Sequence, residues 1–145
     1  MKLKLIGFGV ILLMFSCKTY TVTPESFKTQ FTQINDSVRK QVEINNPLFY
    51  SKIKYLSNNV KYLNVYDKKG NIFFMQNSPS LEMRVTLSNG KRKIVYFDTV
   101  SLENDTLRGG KSRFIPGLTS VIPFNQIIKI ELQEGGKNYY YQNQF

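Results

Sequence analysis

The sequence predicts an α+β fold, in which one N-terminal amphipathic helix precedes a mostly antiparallel β meander or small barrel. Apolar residues recur at helical spacing in one stretch, between Phe27 and Val42. After Pro47 the apolar period changes to two, and turn-forming residues follow at intervals of roughly 8–12 positions, as in small β folds. With 145 residues, the chain has room for one domain with a real core.

The first sixteen residues have the composition of a secretory signal. Lys2 and Lys4 make a positively charged start, and residues 5–15 form an uncharged apolar run. This run has the length of the apolar region of a signal peptide, whereas a helix needs about 20 apolar residues to cross a membrane. The sequence therefore predicts export and removal of residues 1–16.

The chain has a single cysteine, Cys17, which therefore cannot form an intramolecular disulfide. Met14-Phe15-Ser16-Cys17 resembles the lipobox of bacterial lipoproteins. Met14 and Phe15 stand where the usual box has an aliphatic and a small residue, and this looser form is similar to lipoproteins of the Bacteroidota. An ordinary signal peptide followed by an incidental cysteine is the alternative interpretation.

The lipobox resemblance implies a membrane-anchored protein. It implies cleavage before Cys17 and a diacylglyceryl group on the Cys17 sulfur, which supplies the two acyl chains that stable anchoring requires. Residues 17–23 are then a lipidated tether, and residues 24–145 form the single domain. The expected location is the cell envelope, at the outer membrane and facing the periplasm.

One helix is predicted from about residue 24 to residue 43. Thr23 is a suitable N-cap, Pro24 is tolerated at the first helical position, and Glu25 lies near the positive end of the helix dipole. Asn46-Pro47 limits the helix at its other end. The stripe is predicted to pack on the core, with a partner-binding helix as the alternative. Its members are Phe27, Phe31, Ile34, Val38 and Val42.

Strands are predicted where an apolar period of two lies between turn signals. Residues 49–56 fit either a short helix or a strand, and the alternation in Lys52–Tyr55 favours the strand. Hairpin turns are predicted at Lys68–Asn71, Asn89-Gly90 and Asn104-Asp105. The predicted strands span residues 49–56, 60–67, 72–76, 82–88, 91–99, 100–103, 106–108 and 127–133.

The Asn89-Gly90 hairpin is the clearest of these, but its register stays open. A two-residue turn places Val85 opposite Ile94. A three-residue turn with a bulge instead places Val85 on the same face as Val95 and Phe97. Further along, Gly109-Gly110 and Pro116-Gly117 are predicted to break the chain, and Ile122–Gln126 is predicted to form a short turn.

The segment Ser101–Leu132 contains a hairpin, a glycine break, an Ile-Pro turn and the run Ile-Ile-Lys-Ile-Glu-Leu. This order of turns resembles the SH3-like and Sm-like small barrels, over about a quarter of the chain. The short strands and frequent turns themselves predict a small barrel or a strongly bent sheet, which the helix covers at an open face or plugs at one end. The resemblance implies no particular function, because such folds carry many functions.

Composition excludes several classes of site. The chain has no histidine, which removes the Ser-His-Asp and Cys-His triads and an ordinary zinc site. No cofactor and no metal site are predicted. Loss of Lys2 and Lys4 lowers the formal net charge from +10 to +8. This charge favours anionic partners such as lipid headgroups or acidic polysaccharide, and export argues against nucleic acid.

Two sets of residues are candidates for function. Asp98 and Glu103 form a possible carboxylate pair for glycoside hydrolysis, although Asp98 can equally accept hydrogen bonds from Arg84 or Arg113 in a structural role. Tyrosine and basic residues interleave on the predicted strands, as on surfaces that bind sugars or anionic polymers. The predicted ligand-binding residues are Tyr62, Tyr66, Arg84, Lys91, Arg92 and Lys93.

Taken together, these features predict a non-enzymatic, membrane-anchored envelope lipoprotein that acts as a binding or scaffold module. Its expected partners are the membrane, through the lipid, and another envelope protein or an anionic envelope polymer. The alternative is an envelope hydrolase that uses Asp98 and Glu103.

Overall fold

The computed structural model describes residues 18–34 and 38–143. The predicted signal peptide and Cys17 lie outside these residues. Within them the chain forms one α-helix, eleven strands and two short 3-10 turns. The elements are β1 (Thr19–Val22), α1 (Pro24–Gln33), β2 (Lys40–Asn45), β3 (Lys52–Ser57), β4 (Tyr62–Tyr66), β5 (Ile72–Gln76), β6 (Leu81–Leu87), β7 (Arg92–Tyr96), a 3-10 turn (Phe97–Thr99), β8 (Ser101–Glu103), β9 (Thr106–Gly110), β10 (Thr119–Pro123), a 3-10 turn (Phe124–Gln126) and β11 (Ile127–Glu134).

Helix α1 begins after Thr23, whose hydroxyl accepts a hydrogen bond from the Ser26 amide at 3.2 Å. The side chains of Phe27 and Phe31 are buried. The predicted continuation to residue 43 is wrong, because the helix ends at Gln33 and Val42 lies in β2. Val42 and Ile44 are both buried, whereas Gln41 is exposed and Glu43 is half-buried, and a strand accommodates this period of two.

The predicted tether is wrong for residues 19–22, which form strand β1. This strand lies inside a six-stranded sheet, whose order is β5-β4-β1-β11-β6-β7. Tyr20 and Val22 pair with Leu132 and Ile130 of β11, on the face that carries the core. Thr-Tyr-Thr-Val consists of residue types that favour strands, but the pairing joins positions more than 100 residues apart, which local sequence cannot reveal.

The β6–β7 hairpin settles the register that the sequence leaves open. The Leu87 amide donates to the Lys91 carbonyl at 2.9 Å, so the loop contains the three residues 88–90. Gly90 has φ +80°, which glycine adopts at little cost. Met83 pairs with Val95 and Val85 pairs with Lys93, which places Val85 and Val95 on one face. The strand ends at Tyr96, earlier than predicted, because residues 97–99 form a 3-10 turn.

A separate three-stranded sheet has the order β10-β9-β8. Its β8–β9 turn is Asn104-Asp105 as predicted, and both residues have positive φ angles, of 49° and 55°. Gly109-Gly110 does not break the chain as predicted but lies within β9. A Cβ on Gly109 would lie 2.8 Å from Val95 Cβ, so glycine allows β9 to pack closely against β7.

Strand β10 is a further difference from prediction, since the sequence predicts no strand at residues 119–123. The predicted turn Ile122–Gln126 is formed only by its last three residues, Phe124–Gln126. The segment Ser101–Leu132, which resembles a small barrel in sequence, is divided between two sheets, because β11 belongs to the six-stranded sheet. A third, two-stranded sheet pairs β2 with β3 from Lys40↔Ser57 to Asn45↔Lys52. All strand ladders of the described residues are antiparallel.

The core lies between the inner face of the six-stranded sheet, helix α1 and the three-stranded sheet. Its aromatic part is formed by Phe27, Phe31, Phe97 and Phe124, with Phe27 and Phe31 stacked at 4.8 Å between ring centroids. Aliphatic side chains from the strands complete it. Because the helix is short, tertiary packing of its two phenylalanines must supply most of its stability.

Candidate functional site

Asp98 is a fully buried carboxylate held by one arginine and two tyrosines. Arg113 Nη2 donates to Asp98 Oδ1 at 2.7 Å and to the Pro79 carbonyl at 2.6 Å. Arg113 is one of the two arginines that the sequence predicts as partners of Asp98. Tyr141 donates its hydroxyl proton to Asp98 Oδ2 at 2.9 Å, and the Tyr55 hydroxyl donates to the same oxygen. The carboxylate is therefore neutralised and hydrogen-bonded on both oxygens, as a buried charge requires.

The Arg113 guanidinium is enclosed by tyrosine rings. Its central carbon lies 4.0 Å from the Tyr96 ring centroid and 4.5 Å from that of Tyr55. Nε and Nη1 are buried and have no hydrogen-bond acceptor among the described residues. The ring faces supply electrostatic stabilisation to this side of the cation. The segments that carry these groups are far apart in sequence, so the network fastens β3 and residues 113 and 141 to the turn at Asp98.

Burial raises the pKa of the Tyr55 and Tyr141 hydroxyls well above the usual value, and the negative charge of Asp98 raises both further. An unfolded tyrosine ionises near pH 10, at about its ordinary pKa. Because the folded-state pKa is raised, the contribution of these groups to stability is complete below about pH 10 and is lost as the pH rises toward the folded-state pKa.

We therefore expect the free energy of unfolding to fall steeply above pH 10, by about 1.4 kcal/mol per pH unit for each of the two tyrosines. The Tyr55→Phe/Tyr141→Phe variant should show a shallower slope in urea titrations between pH 8 and pH 11. Tyr62→Phe is the control, because Tyr62 is exposed and should leave the slope unchanged. Equal slopes in all three proteins would show that the two buried hydroxyls do not ionise on unfolding.

A cleft of about 590 Å³ opens beside this network, between β3, β8–β9 and the loop of residues 111–118. This volume lies within the range of small-molecule sites. Much of the lining is apolar, from Ile53, Leu56, Ile115 and Leu118, and the last three of these side chains are also exposed. Exposed apolar walls in a concave site favour a ligand that is itself partly apolar.

The cleft is also basic. Its lining includes Arg39, Lys54, Arg108 and Arg113, against the single carboxylate of Glu103. Arg113 is committed to Asp98, and Lys54 Nζ lies 3.0 Å from Glu43. Among the described residues, Arg39 donates to the Thr99 carbonyl at 3.4 Å and Arg108 has no acceptor. Neither arginine has a carboxylate partner in that part of the chain, so both can contribute charge to an anionic ligand.

The sequence does not single out Arg39 or Arg108. The two positions are 69 residues apart, and Arg108 precedes the Gly109-Gly110 pair that was interpreted as a chain break. The only signal in the sequence is that two glycines follow Arg108 in β9, which leaves little side-chain bulk on the C-terminal side of the cation.

The predicted ligand-binding residues lie elsewhere, and they do not converge on one site. Tyr62 and Tyr66 are exposed on the outer face of β4, beside Phe74 of β5. Arg84 is on the same face of β6, three strand spacings away, or about 14 Å. Lys91 and Arg92 are at the far end of β6–β7, while Lys93 is on the opposite face and donates to the Val121 carbonyl at 3.5 Å. None of these six residues lines the cleft.

The two carboxylates of the predicted hydrolase are in different environments. Glu103 is exposed and lines the cleft, whereas Asp98 is fully buried and is not part of the lining. In residues 18–34 and 38–143 there is no group of three or more Asp, Glu, Cys or His side chains able to hold a metal ion. The same part of the chain contains no helix long and apolar enough to span a membrane.

The cleft thus combines an apolar wall with two arginines that have no carboxylate partner among the described residues. It lies beside the Asp98 network, which links β3, residue 113 and residue 141. No protein-family model, curated protein or solved structure matches the chain.

Proposed function

We propose that the chain is a cell-envelope lipoprotein, anchored through Cys17 to the outer membrane and facing the periplasm, whose domain is a non-enzymatic binding module. The observation that carries the proposal is the cleft, in which Arg39 and Arg108 lie beside an apolar wall without carboxylate partners among the described residues. Its partner is another envelope component that is anionic and partly apolar.

The arrangement of Asp98 favours binding over hydrolysis. A glycosidase needs two carboxyl groups about 5–10 Å apart that flank the scissile glycosidic bond in one cleft. Asp98 has no exposed surface, and its oxygens already accept hydrogen bonds from Arg113, Tyr55 and Tyr141. A carboxylate held in this way stabilises the fold and is not available to a substrate.

The chemistry of the lining defines the class of ligand. The two arginines favour a carboxylate, sulfonate or phosphate group, which they bind through charge-assisted hydrogen bonds. Ile53, Leu56, Ile115 and Leu118 favour an apolar group attached to it. A chain segment of an envelope protein that ends in an acidic residue, or an acylated anionic polymer, has this combination.

Anilinonaphthalene sulfonate is a suitable probe, because it joins an anionic group to aromatic rings and its fluorescence increases in apolar sites. We expect the Arg108→Glu variant to bind it roughly tenfold more weakly, since the change replaces attraction by repulsion at short range. Arg92→Glu makes the same change of charge on a strand outside the cleft and should leave the affinity unaltered.

Circular dichroism must first show that both variants fold, because partly folded proteins also bind this dye. Equal loss of affinity in both variants would mean that the probe responds to net charge and not to the cleft. Unchanged affinity in Arg108→Glu would contradict the proposed site directly.

A further inference from the structure

The end of the six-stranded sheet at which β1 begins is close to the predicted anchor. Strand β1 starts at Thr19, only two residues after Cys17. Covalent geometry keeps the Cα atoms of these two residues within about 7 Å of each other, whatever the conformation between them. Because Thr19–Val22 is a strand with partners on both sides, the domain has no flexible tether there with which to move away from a membrane.

The β4–β5 hairpin turns at this same end of the sheet. Thr21 pairs with Tyr66 in an antiparallel ladder, so the residues that follow Tyr66 lie on the side where β1 begins. The turn contains Lys68 and Lys69, and both side chains are exposed. Asp67 is occupied within the turn, where it accepts hydrogen bonds from the Lys69 and Asn71 amides at 2.8 Å.

Strand β5, next to this turn, is an edge strand with unusually exposed apolar side chains. Ile72 is 60% exposed, Phe73 is 43% exposed and Phe74 is 76% exposed. The strand contains no charged residue, whereas the opposite edge strand β7 carries Arg92 and Lys93. An uncharged apolar edge in contact with water is a liability that proteins normally cover or guard with charge.

We propose that this end of the sheet, comprising Lys18, Lys68, Lys69 and the adjoining Ile72 of β5, lies against the lipid bilayer. The proposal rests on the anchor at Cys17 and deepens it, by naming the surface that the anchor holds to the membrane. The lysines contact headgroups while Ile72 enters the interfacial layer, as aliphatic side chains do in peripheral proteins. Three lysines, against Asp67 and the exposed Glu134 at the end of β11, give this end a slight preference for anionic headgroups.

The opposite end of the sheet provides a matched control. Val22 pairs with Ile130 and Thr19 pairs with Gln133, so Ile128 lies beyond the end of β1 that is farthest from the anchor. Ile72 is level with Glu131, because Ile72 pairs with Tyr66, Tyr66 with Thr21 and Thr21 with Glu131. Three residues along β11 therefore separate Ile128 from the level of Ile72, a distance of about 10 Å. Ile128 is 59% exposed, nearly the same as Ile72.

The chain has no tryptophan, so a single introduced indole reports on one position. The Ile72→Trp and Ile128→Trp proteins, extracted with their lipid, would be placed in vesicles of phosphatidylglycerol and acyl-brominated phosphatidylcholine. We expect the Ile72→Trp protein to lose roughly half or more of its emission to the bromines and to shift to shorter wavelength, as an interfacial indole does. The Ile128→Trp protein should keep its emission and remain open to aqueous quenchers.

Two further variants sharpen the test. Phe74→Trp replaces an exposed ring that lies two residues farther from the anchored end, and it should lose less emission to the bromines than Ile72→Trp. Lys68→Glu/Lys69→Glu should weaken the quenching in the Ile72→Trp background, whereas Lys91→Glu/Arg92→Glu at the far end should not.

Equal quenching at both positions, quenching at Ile128→Trp alone, or none at either would overturn the proposed orientation. A blue shift that is the same with and without brominated lipid, and that increases with protein concentration, would mean that a second copy of the chain covers β5. That result would also overturn the proposed orientation. The mass of the acyl group on each sample is measured beforehand. A protein without lipid would contradict the proposed anchor, whereas a lipidated protein without quenching at Ile72→Trp would contradict only the proposed orientation.

Discussion

Replacement of Arg113 by methionine is expected to destabilise the fold by ~3–5 kcal/mol, which is the usual result of leaving a buried charge without its partner. Asp98 is fully buried, and the Arg113 side chain is 1% exposed. Methionine fills similar space but leaves the carboxylate with only the hydroxyls of Tyr55 and Tyr141. Urea unfolding at neutral pH measures the effect.

The Asp98→Asn/Arg113→Met variant should lose less stability than the two single changes added together, because it removes both charges at once. Lys28→Met is the control. It breaks a salt bridge to Asp105 whose side chains are 45% and 70% exposed, and such pairs contribute at most about 1 kcal/mol. If Arg113→Met were as mild as this control, the Asp98 network would not be what fastens β3 and the C-terminal segment to the domain.

Phe27→Ala is expected to cost ~3–5 kcal/mol of stability, as for other buried aromatic side chains replaced by alanine. Phe27 has no exposed surface and stacks on Phe31, with Phe97 and Phe124 at centroid distances of 6.5 Å and 6.4 Å. The change leaves a cavity where helix α1, the 3-10 turns and the sheet meet. Loss of this contact should release the helix, which is too short to be stable alone.

Phe74→Ala is the matched control for Phe27→Ala. Phe74 is 76% exposed, so its removal should alter the free energy of unfolding by at most about 0.5 kcal/mol. A large loss of stability from Phe74→Ala would mean that β5 supports the core more than its exposure indicates.

The features that could be predicted from the sequence depend on short stretches of chain. Thr23 as an N-cap and the turns at Asn89-Gly90 and Asn104-Asp105 follow from local backbone chemistry. The predicted end of α1 is wrong because Ile34, Val38 and Val42 continue the helical spacing by chance, although the chain passes from α1 to β2 over these positions. Period and spacing cannot distinguish a long helix from a short one followed by a strand.

The features that the sequence missed depend on distant partners. Strand β1 has four residues, and its pairing with β11 is what makes it a strand. Gly109 lies in β9 because Val95 leaves no room for a Cβ, and no local pattern shows this contact. The cleft likewise joins Arg39 to Arg108 through the fold alone. The sequence did place Arg113 among the partners of Asp98, but it could not decide between Arg113 and Arg84.

The intact mass of the mature protein, extracted in detergent and compared with a Cys17→Ser version, tests the anchored-module account most directly. The account predicts a product that begins at Cys17 and carries the extra mass of a diacylglyceryl group, with that mass lost in Cys17→Ser. A mature product without acyl mass, identical in membrane association to the Cys17→Ser protein, would contradict the anchor.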